Sequence, residues 1–160
     1  MKNVGILVPI LASAALFALN EVNVLKANLS SDVAELNSNR RLFVDPSSTS
    51  LLLGKASLIV SPLEYRDNTY AGDYQLKVVP YFFMSQKGPL LLAAPQDSYR
   101  RLMEGAAVEF TGVATNEKDG KTKVVTGKIT PLTRNGGKVS FSILTDNGTM
   151  VFDTLYHFAP

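Results

Sequence analysis

The chain has 160 residues, 46% of them hydrophobic, and a formal net charge of +2, which leaves room for one domain with its own core besides a leader. So balanced a charge sets up no overall field to draw in nucleic acid or acidic lipid. No cysteine occurs, and its absence excludes disulfides, thiolate zinc sites, thiol catalysis and a lipidated cysteine.

In chain order, Lys2 precedes an apolar run over residues 4–19 that stops at Asn20-Glu21. A positive start, an apolar stretch and a polar boundary describe a segment read by the export machinery. Residues 1–19 are therefore expected to be a signal peptide or signal anchor, with the remainder extracytoplasmic, periplasmic or secreted. Small-residue cleavage patterns occur at Ala12-Ser13-Ala14 and Ser13-Ala14-Ala15, and none follows Leu19. The run is short beside the roughly 20 residues of an ordinary membrane span. Val22, Leu25, Leu29, Val33 and Leu36 then recur at three- and four-residue steps, the pattern of a helix with one apolar stripe.

Two readings follow. A cleaved signal leaves this helix to pack on the domain. An uncleaved segment makes one anchor and stalk, touching the membrane through its N-terminal part with the N-terminus inside. Residues 20–50 are expected to be this amphipathic helix and a linker, because Asn37-Ser38-Asn39-Arg40-Arg41 and Asp45-Pro46-Ser47-Ser48-Thr49-Ser50 favour turns and oppose helix.

The domain proper is expected over residues 51–160. Residues 51–61 read as a strand bent at Gly54, and residues 62–72 as a polar loop. Residues 73–84 read as a long strand, with Pro80 placing part of it at an edge or bulge. Lys87-Gly88 turns the chain into a short apolar run over 89–93. Residues 95–104 predict a helix: Pro95 suits its first turn, Tyr99, Leu102 and Met103 share a face, and Gly105 suits its end. Residues 107–115 and 121–130 alternate about the loop Glu117-Lys118-Asp119-Gly120. After a break at Asn135-Gly136-Gly137, residues 138–145 and 149–157 flank Asp146-Asn147-Gly148, whose Asn-Gly step favours a tight hairpin.

The predicted class is mostly β, with one short helix and an N-terminal helix ahead of it. A helix between the third and fourth strands resembles the OB-fold, a five-stranded, partly open barrel. The glycine in the first strand and Gly105 before the fourth fit that resemblance, which covers residues 51–130 by element order. The C-terminal hairpin is an addition to it. A plain antiparallel barrel or sandwich of six or seven strands is the competitor.

Chemistry is sparse. His157 is the sole histidine and has no second histidine or cysteine to share a metal or a relay with, so it reads as a surface or hydrogen-bonded residue. Glu64, Asp67, Asp73, Asp97, Glu104, Asp119, Asp146 and Asp153 are scattered over loops, and catalysis requires two of them to converge. No calcium loop and no phosphate loop is present, and no cofactor is implied. Asn28-Leu29-Ser30 and Asn147-Gly148-Thr149 match the glycosylation pattern, and local structure accounts for both.

The second strand carries the binding candidates. Tyr74, Leu76, Val78, Phe82 and Met84 form its expected core face. The opposite face, Gln75, Lys77, Val79, Tyr81 and Phe83, is too apolar for water. Lys77, Tyr81 and Phe83 are accordingly the candidate ligand-binding residues, a stacking platform of the kind barrels offer to bases or sugars. The alternative is that Phe141, Phe152, Tyr156 and Phe158 of the C-terminal hairpin cover this face.

Residues 118–138 hold six cations, Lys118, Lys121, Lys123, Lys128, Arg134 and Lys138, against Asp119. This stretch suits an acidic polymer or anionic membrane, or a solvated hairpin whose lysines resist edge pairing. Without interleaved aromatics, nucleic acid is not the expected partner. The sequence points to a non-enzymatic envelope module that binds a protein or another extracytoplasmic partner. The alternatives are an oligosaccharide or small-ligand binder using the aromatic face, and an enzyme of unknown reaction.

Overall fold

Alternation of inward apolar and outward polar side chains builds nearly the whole fold. The computed structural model describes residues 41–95, 97–146 and 148–159. The expected leader and striped helix lie outside the described residues. Ten strands follow one another: β1 (Arg41–Val44), β2 (Ser47–Leu51), β3 (Gly54–Val60), β4 (Leu63–Arg66), β5 (Thr69–Val79), β6 (Gln86–Ala93), β7 (Val108–Thr115), β8 (Thr122–Thr133), β9 (Gly136–Thr145) and β10 (Gly148–Ala159). Among the described residues a single α-helix, α1 (Ser98–Met103), stands between β6 and β7.

Eight strands close a ring in the order β4-β5-β6-β7-β8-β9-β10-β1, every pair antiparallel. β1 closes it, pairing Leu42 with Phe158 of β10 on one side and with Leu63 of β4 on the other. The protein is therefore a closed, eight-stranded antiparallel barrel with extra strands and one short helix. As predicted, the helix stands between two neighbouring strands of one closed sheet, β6 and β7. It follows the fourth strand counted from residue 54, not the third, because residues 62–72, expected as a polar loop, form β4 and the start of β5, whose partners are each other and β6. The C-terminal hairpin read as an addition to that pattern supplies two of the ring's strands, β9 and β10.

Residues 41–50, expected in the linker, correct that expectation, together with residue 51 of the expected first strand. They form β1 and β2, so the barrel begins ten residues earlier than residue 51. Four residues are too few to show alternation, yet Leu42 and Val44 are buried and Arg41 is exposed. β10 and β4 supply the partners that local sequence cannot reveal.

Proline divides the paths on this side of the barrel. Asp45-Pro46 separates β1 from β2, and Ser61-Pro62 separates β3 from β4, because proline has no N–H for the ladder. Asp45 still donates its N–H to the carbonyl of Leu155 at 3.0 Å, and Thr154 donates its hydroxyl to the Asp45 carbonyl at 2.9 Å. Beyond Pro46 the chain leaves β10. β2 and β3 become a hairpin that joins the barrel along the second half of β5, from Val60 opposite Tyr74 to Lys55 opposite Val79. A further proline, Pro131, sits at the register shift between β8 and β9, where a bulge tolerates it.

An eight-stranded barrel is just wide enough for side chains to fill it. Phe141 and Phe152 face each other across β9 and β10 and are 1% and 0% exposed. Phe110 meets Phe141 edge-on, with centroids 5.4 Å apart, and lies over Gly127, where a β-carbon would overlap the Phe110 ring and the Ser140 carbonyl. Leu58, Leu63, Tyr74, Leu76, Val78, Leu90, Val108, Val125 and Ile143 complete the packing. Burial of each large side chain contributes about 1.5–3 kcal/mol. At the helix end, Leu102 of α1 is buried, and Tyr99 meets Phe158 edge-on at 5.8 Å. Val125 and Ile129 of β8 point inward, with Lys123 half-buried.

Tyr70 and Tyr65 pack at 5.0 Å near the helix end. Burial pushes the Tyr70 hydroxyl far up, reinforced by Tyr65, Tyr99 and Tyr156. Burial likewise raises Tyr74, helped by the charge of Asp119, and it raises Tyr156. Two stability predictions follow from this core. Phe152→Ala, which empties the barrel centre, is expected to lower stability by about 3–5 kcal/mol in urea titrations. A tyrosine that ionises later when folded leaves the unfolded chain to lose protons first. Stability is then full below the ordinary value of 10.0 and falls as pH rises above it. Urea midpoints should be flat near neutrality and drop in that alkaline range, with a shallower drop in Tyr70→Phe.

Candidate functional site

Antiparallel strands deliver alternate loops to opposite ends of a barrel. One end receives the turn 67–68, α1 and the turn 134–135. The other receives the β2–β3 tip, the β5–β6 connection, the β7–β8 loop and the β9–β10 tip. This second end, the crown, gathers the unusual side chains.

β5 stops at Val79 because Pro80 cannot continue the ladder; the Val79–Pro80 peptide is cis. The chain then makes a 3₁₀ turn at Phe82–Met84. Phe82 N–H donates to the Pro80 carbonyl at 3.0 Å, Met84 N–H to Tyr81 at 2.9 Å, and Ser85 N–H to Phe82 at 3.0 Å. Val78 N–H donates to the Ser85 hydroxyl at 3.0 Å, tying the turn back to β5. The β2–β3 tip lies alongside. Gly54, at a φ of +150°, approaches so closely that a β-carbon would overlap the carbonyl oxygen of Val79. The β7–β8 loop reaches the same region by donating Glu117 N–H to the Lys87 carbonyl at 2.8 Å.

Four large apolar side chains project from the two adjacent tips: Leu52 at 99% exposed, Leu53 at 68%, Phe82 at 70% and Phe83 at 84%. Beside them opens a cleft of about 690 Å³ whose lining includes Lys77, Val79, Phe82, Gln86, Lys87 and Lys118. Lys87 pairs with Glu117 at 3.4 Å, both side chains being well exposed, so the pair leaves the cleft open to solvent and basic.

Of the predicted site residues, Tyr81 and Phe83 meet edge-on with centroids 5.9 Å apart. Tyr81 is half-buried, and Phe83 stands in solvent. Lys77 points outward from β5 into the cleft, where Phe82 joins it. The expected strand face of Lys77, Tyr81 and Phe83 is thus broken at Pro80. Of the expected core positions, Phe82 leaves the core for the same reason, Met84 packs half-buried against it, and Tyr74, Leu76 and Val78 keep theirs. The C-terminal aromatics cover none of this face. Phe141, Phe152, Tyr156 and Phe158 all point into the barrel.

Sequence reasoning missed Phe82, Leu52, Leu53, Lys87 and Lys118. Residues 51–61 and 73–84 read as unbroken strands, whereas the structure turns the chain at Leu52-Leu53 and ends β5 at Val79. Gly54 and Pro80 are the local signals for those two breaks. The basic stretch 118–138 does not act as one patch. The twelve-residue β8 holds Lys118 and Lys121 at the crown and Arg134 at the opposite end. His157 is exposed and stacks on Phe43 with centroids 5.0 Å apart, a surface residue as read.

A second hollow, about 680 Å³, lies on the outer wall and is bordered by Thr111, Thr126, Ser140, Ser142, Glu109 and Lys128. Glu109 stands opposite Lys128 in register, and the wall there is hydroxyl-rich without an aromatic platform. Among the described residues, no group of three or more His, Asp or Glu side chains is placed to hold a metal ion, and no helix is long and apolar enough to cross a membrane. Comparison with known protein families, with curated proteins and with solved structures gave no match.

The crown's apolar residues contribute little to folding because water already reaches them. The double variant Phe82→Ala/Phe83→Ala should keep its urea midpoint, with a stability change within about 0.5 kcal/mol.

Proposed function

We propose that the chain is an exported, non-enzymatic binding module of the cell envelope whose crown contacts an extracytoplasmic partner. The observation that carries this reading is the exposure of Leu52, Leu53, Phe82 and Phe83 on two touching tips. Scattered exposed apolar residues are ordinary on a small domain, but a contiguous group of large ones marks an interaction site. The apolar residues 4–19 behind Lys2 support export. They also support contact with the membrane where that segment is retained.

Support for a non-catalytic role comes from the carboxylates. Glu64 pairs with Arg41 and Arg66, and Asp97 and Glu104 both pair with Arg100. These are exposed pairs that tie down loops and barrel rim, and Glu117 in the cleft is engaged by Lys87. The cleft itself supports a second reading. An oligosaccharide or small ligand would lie against Val79 and Phe82, hydrogen-bonded by Gln75, Gln86 and Asn116, all of which line it.

Because the chain lacks cysteine, one introduced thiol reports one place. Phe83→Cys and Arg134→Cys, each carrying an environment-sensitive fluorophore, compare the crown with the opposite end. Adding an envelope fraction should shift the emission of the Phe83→Cys conjugate to the blue and saturate, leaving the Arg134→Cys conjugate unchanged. Equal responses at both ends, or none at either, would remove the crown as the contact surface. A shift given by soluble glycans instead selects the cleft reading.

A further inference from the structure

We propose that the crown's partner is the surface of an anionic lipid bilayer, with Leu52, Leu53, Phe82 and Phe83 entering the interface and lysines holding the headgroups. This rests on the crown being the contact surface. Three observations choose a bilayer over a protein groove.

The first is shape. The apolar residues stand on two projecting turns, with Phe82 alone bordering the cleft, and the two turns lie side by side because Gly54 abuts Val79. Both tips can therefore enter one surface together. The β5–β6 turn is also held, because Val78 N–H donates to the Ser85 hydroxyl and Glu117 N–H to the Lys87 carbonyl, so little order has to be gained there on contact.

The second is charge. Around the β2–β3 tip, the cleft and the β7–β8 loop, Lys55, Lys77, Lys87, Lys118 and Lys121 stand against Glu117 and Asp119, five cations against two carboxylates, a net of +3, and Asp146 at the β9–β10 tip adds one carboxylate to the crown. All five lysines are exposed. The chain as a whole carries only +2, so the positive charge is concentrated where the apolar side chains project. Basic residues beside an anionic leaflet add attraction that decays within a Debye length.

The third is the kind of cation. Every one of the five is lysine, a residue depleted at protein interfaces, where arginine is enriched. The arginines with ion pairs, Arg41, Arg66 and Arg100, belong to the lower strands and α1, away from the crown, and are committed to Glu64, Asp97 and Glu104. Lysine lays its aliphatic stem along apolar surface and keeps its ammonium at the headgroups, which suits a ring around inserted phenylalanines.

The chain has no tryptophan, so Phe83→Trp in the full chain supplies a single probe at the tip. It is mixed with phosphatidylcholine vesicles, alone or containing phosphatidylglycerol, whose acyl chains carry bromine as a quencher. The expected result is quenching and a blue shift, reaching half-saturation at roughly tenfold less lipid when phosphatidylglycerol is present. Lys55→Gln/Lys77→Gln/Lys118→Gln in the same background should erase that advantage, and raised salt should weaken it. Binding through the leader alone would show as protein sedimented with the vesicles and a probe left unquenched. That outcome overturns the proposal, as does equal quenching on phosphatidylcholine alone. If the fluorophore at position 83 responds to an envelope fraction while F83W ignores vesicles, the lipid partner falls and the crown stays a contact surface. Silence in both removes both.

Discussion

The barrel depends on one short closure. β1 has only four residues, and it hydrogen-bonds to β10 on one side and β4 on the other. Without it the sheet would carry two open edges, each a template for pairing with other chains. With it, the inward face of every ring strand is sealed from water, and Phe110, Phe141 and Phe152 can meet at the centre. The closing strand has to come from the segment just after the expected stalk, so the fold draws residues into the wall that local composition assigns to a linker.

Closure also shapes the crown. Pro46 and Pro62 interrupt the two paths next to β1, and the interruption frees β2 and β3 to form a hairpin laid against β5. Its tip reaches the connection that Pro80 forces at the end of β5. Two proline breaks and one proline stop therefore bring Leu52-Leu53 beside Phe82-Phe83. Each pair alone is an unremarkable exposed turn; together they make the largest apolar projection from the two tips, next to a basic cleft. The opposite end is different in kind, closed by α1 with Leu102 and an aromatic layer, and rimmed by arginine–carboxylate pairs. The polarity of the molecule supports reading one end as structural and the other as the contact surface.

Much of the wall was legible in the sequence. Alternation located β7 and β8 and gave the core face of β5 as far as Val78. Turn formers located the β7–β8 and β9–β10 hairpins, and Pro95 with Gly105 bracketed α1. These signals are local: side-chain period, a donor lost at proline, a glycine that tolerates unusual φ. Errors arose where the deciding partner is distant. β1 was hidden because its hydrogen bonds go to residues 63–64 and 156–159. Continuing the alternation of β5 past Pro80 misplaced Phe82, which the 3₁₀ turn sends outward. In β8, period alone finds two faces and cannot say which one closes around a core.

Sequence by itself determined the class of the chain, an apolar N-terminal run ahead of a β-rich domain built without cysteine, because composition and short-range pattern carry that information. It also fixed most hairpins, whose turns are chosen within a few residues. Only the tertiary structure decided that the sheet closes, that the C-terminal aromatics fill the interior instead of covering Tyr81 and Phe83, and that leucines near residue 52 stand beside phenylalanines near residue 82. Those outcomes depend on pairing between residues far apart in the chain, where the energy of burying one shared core selects among local arrangements that the sequence leaves equivalent.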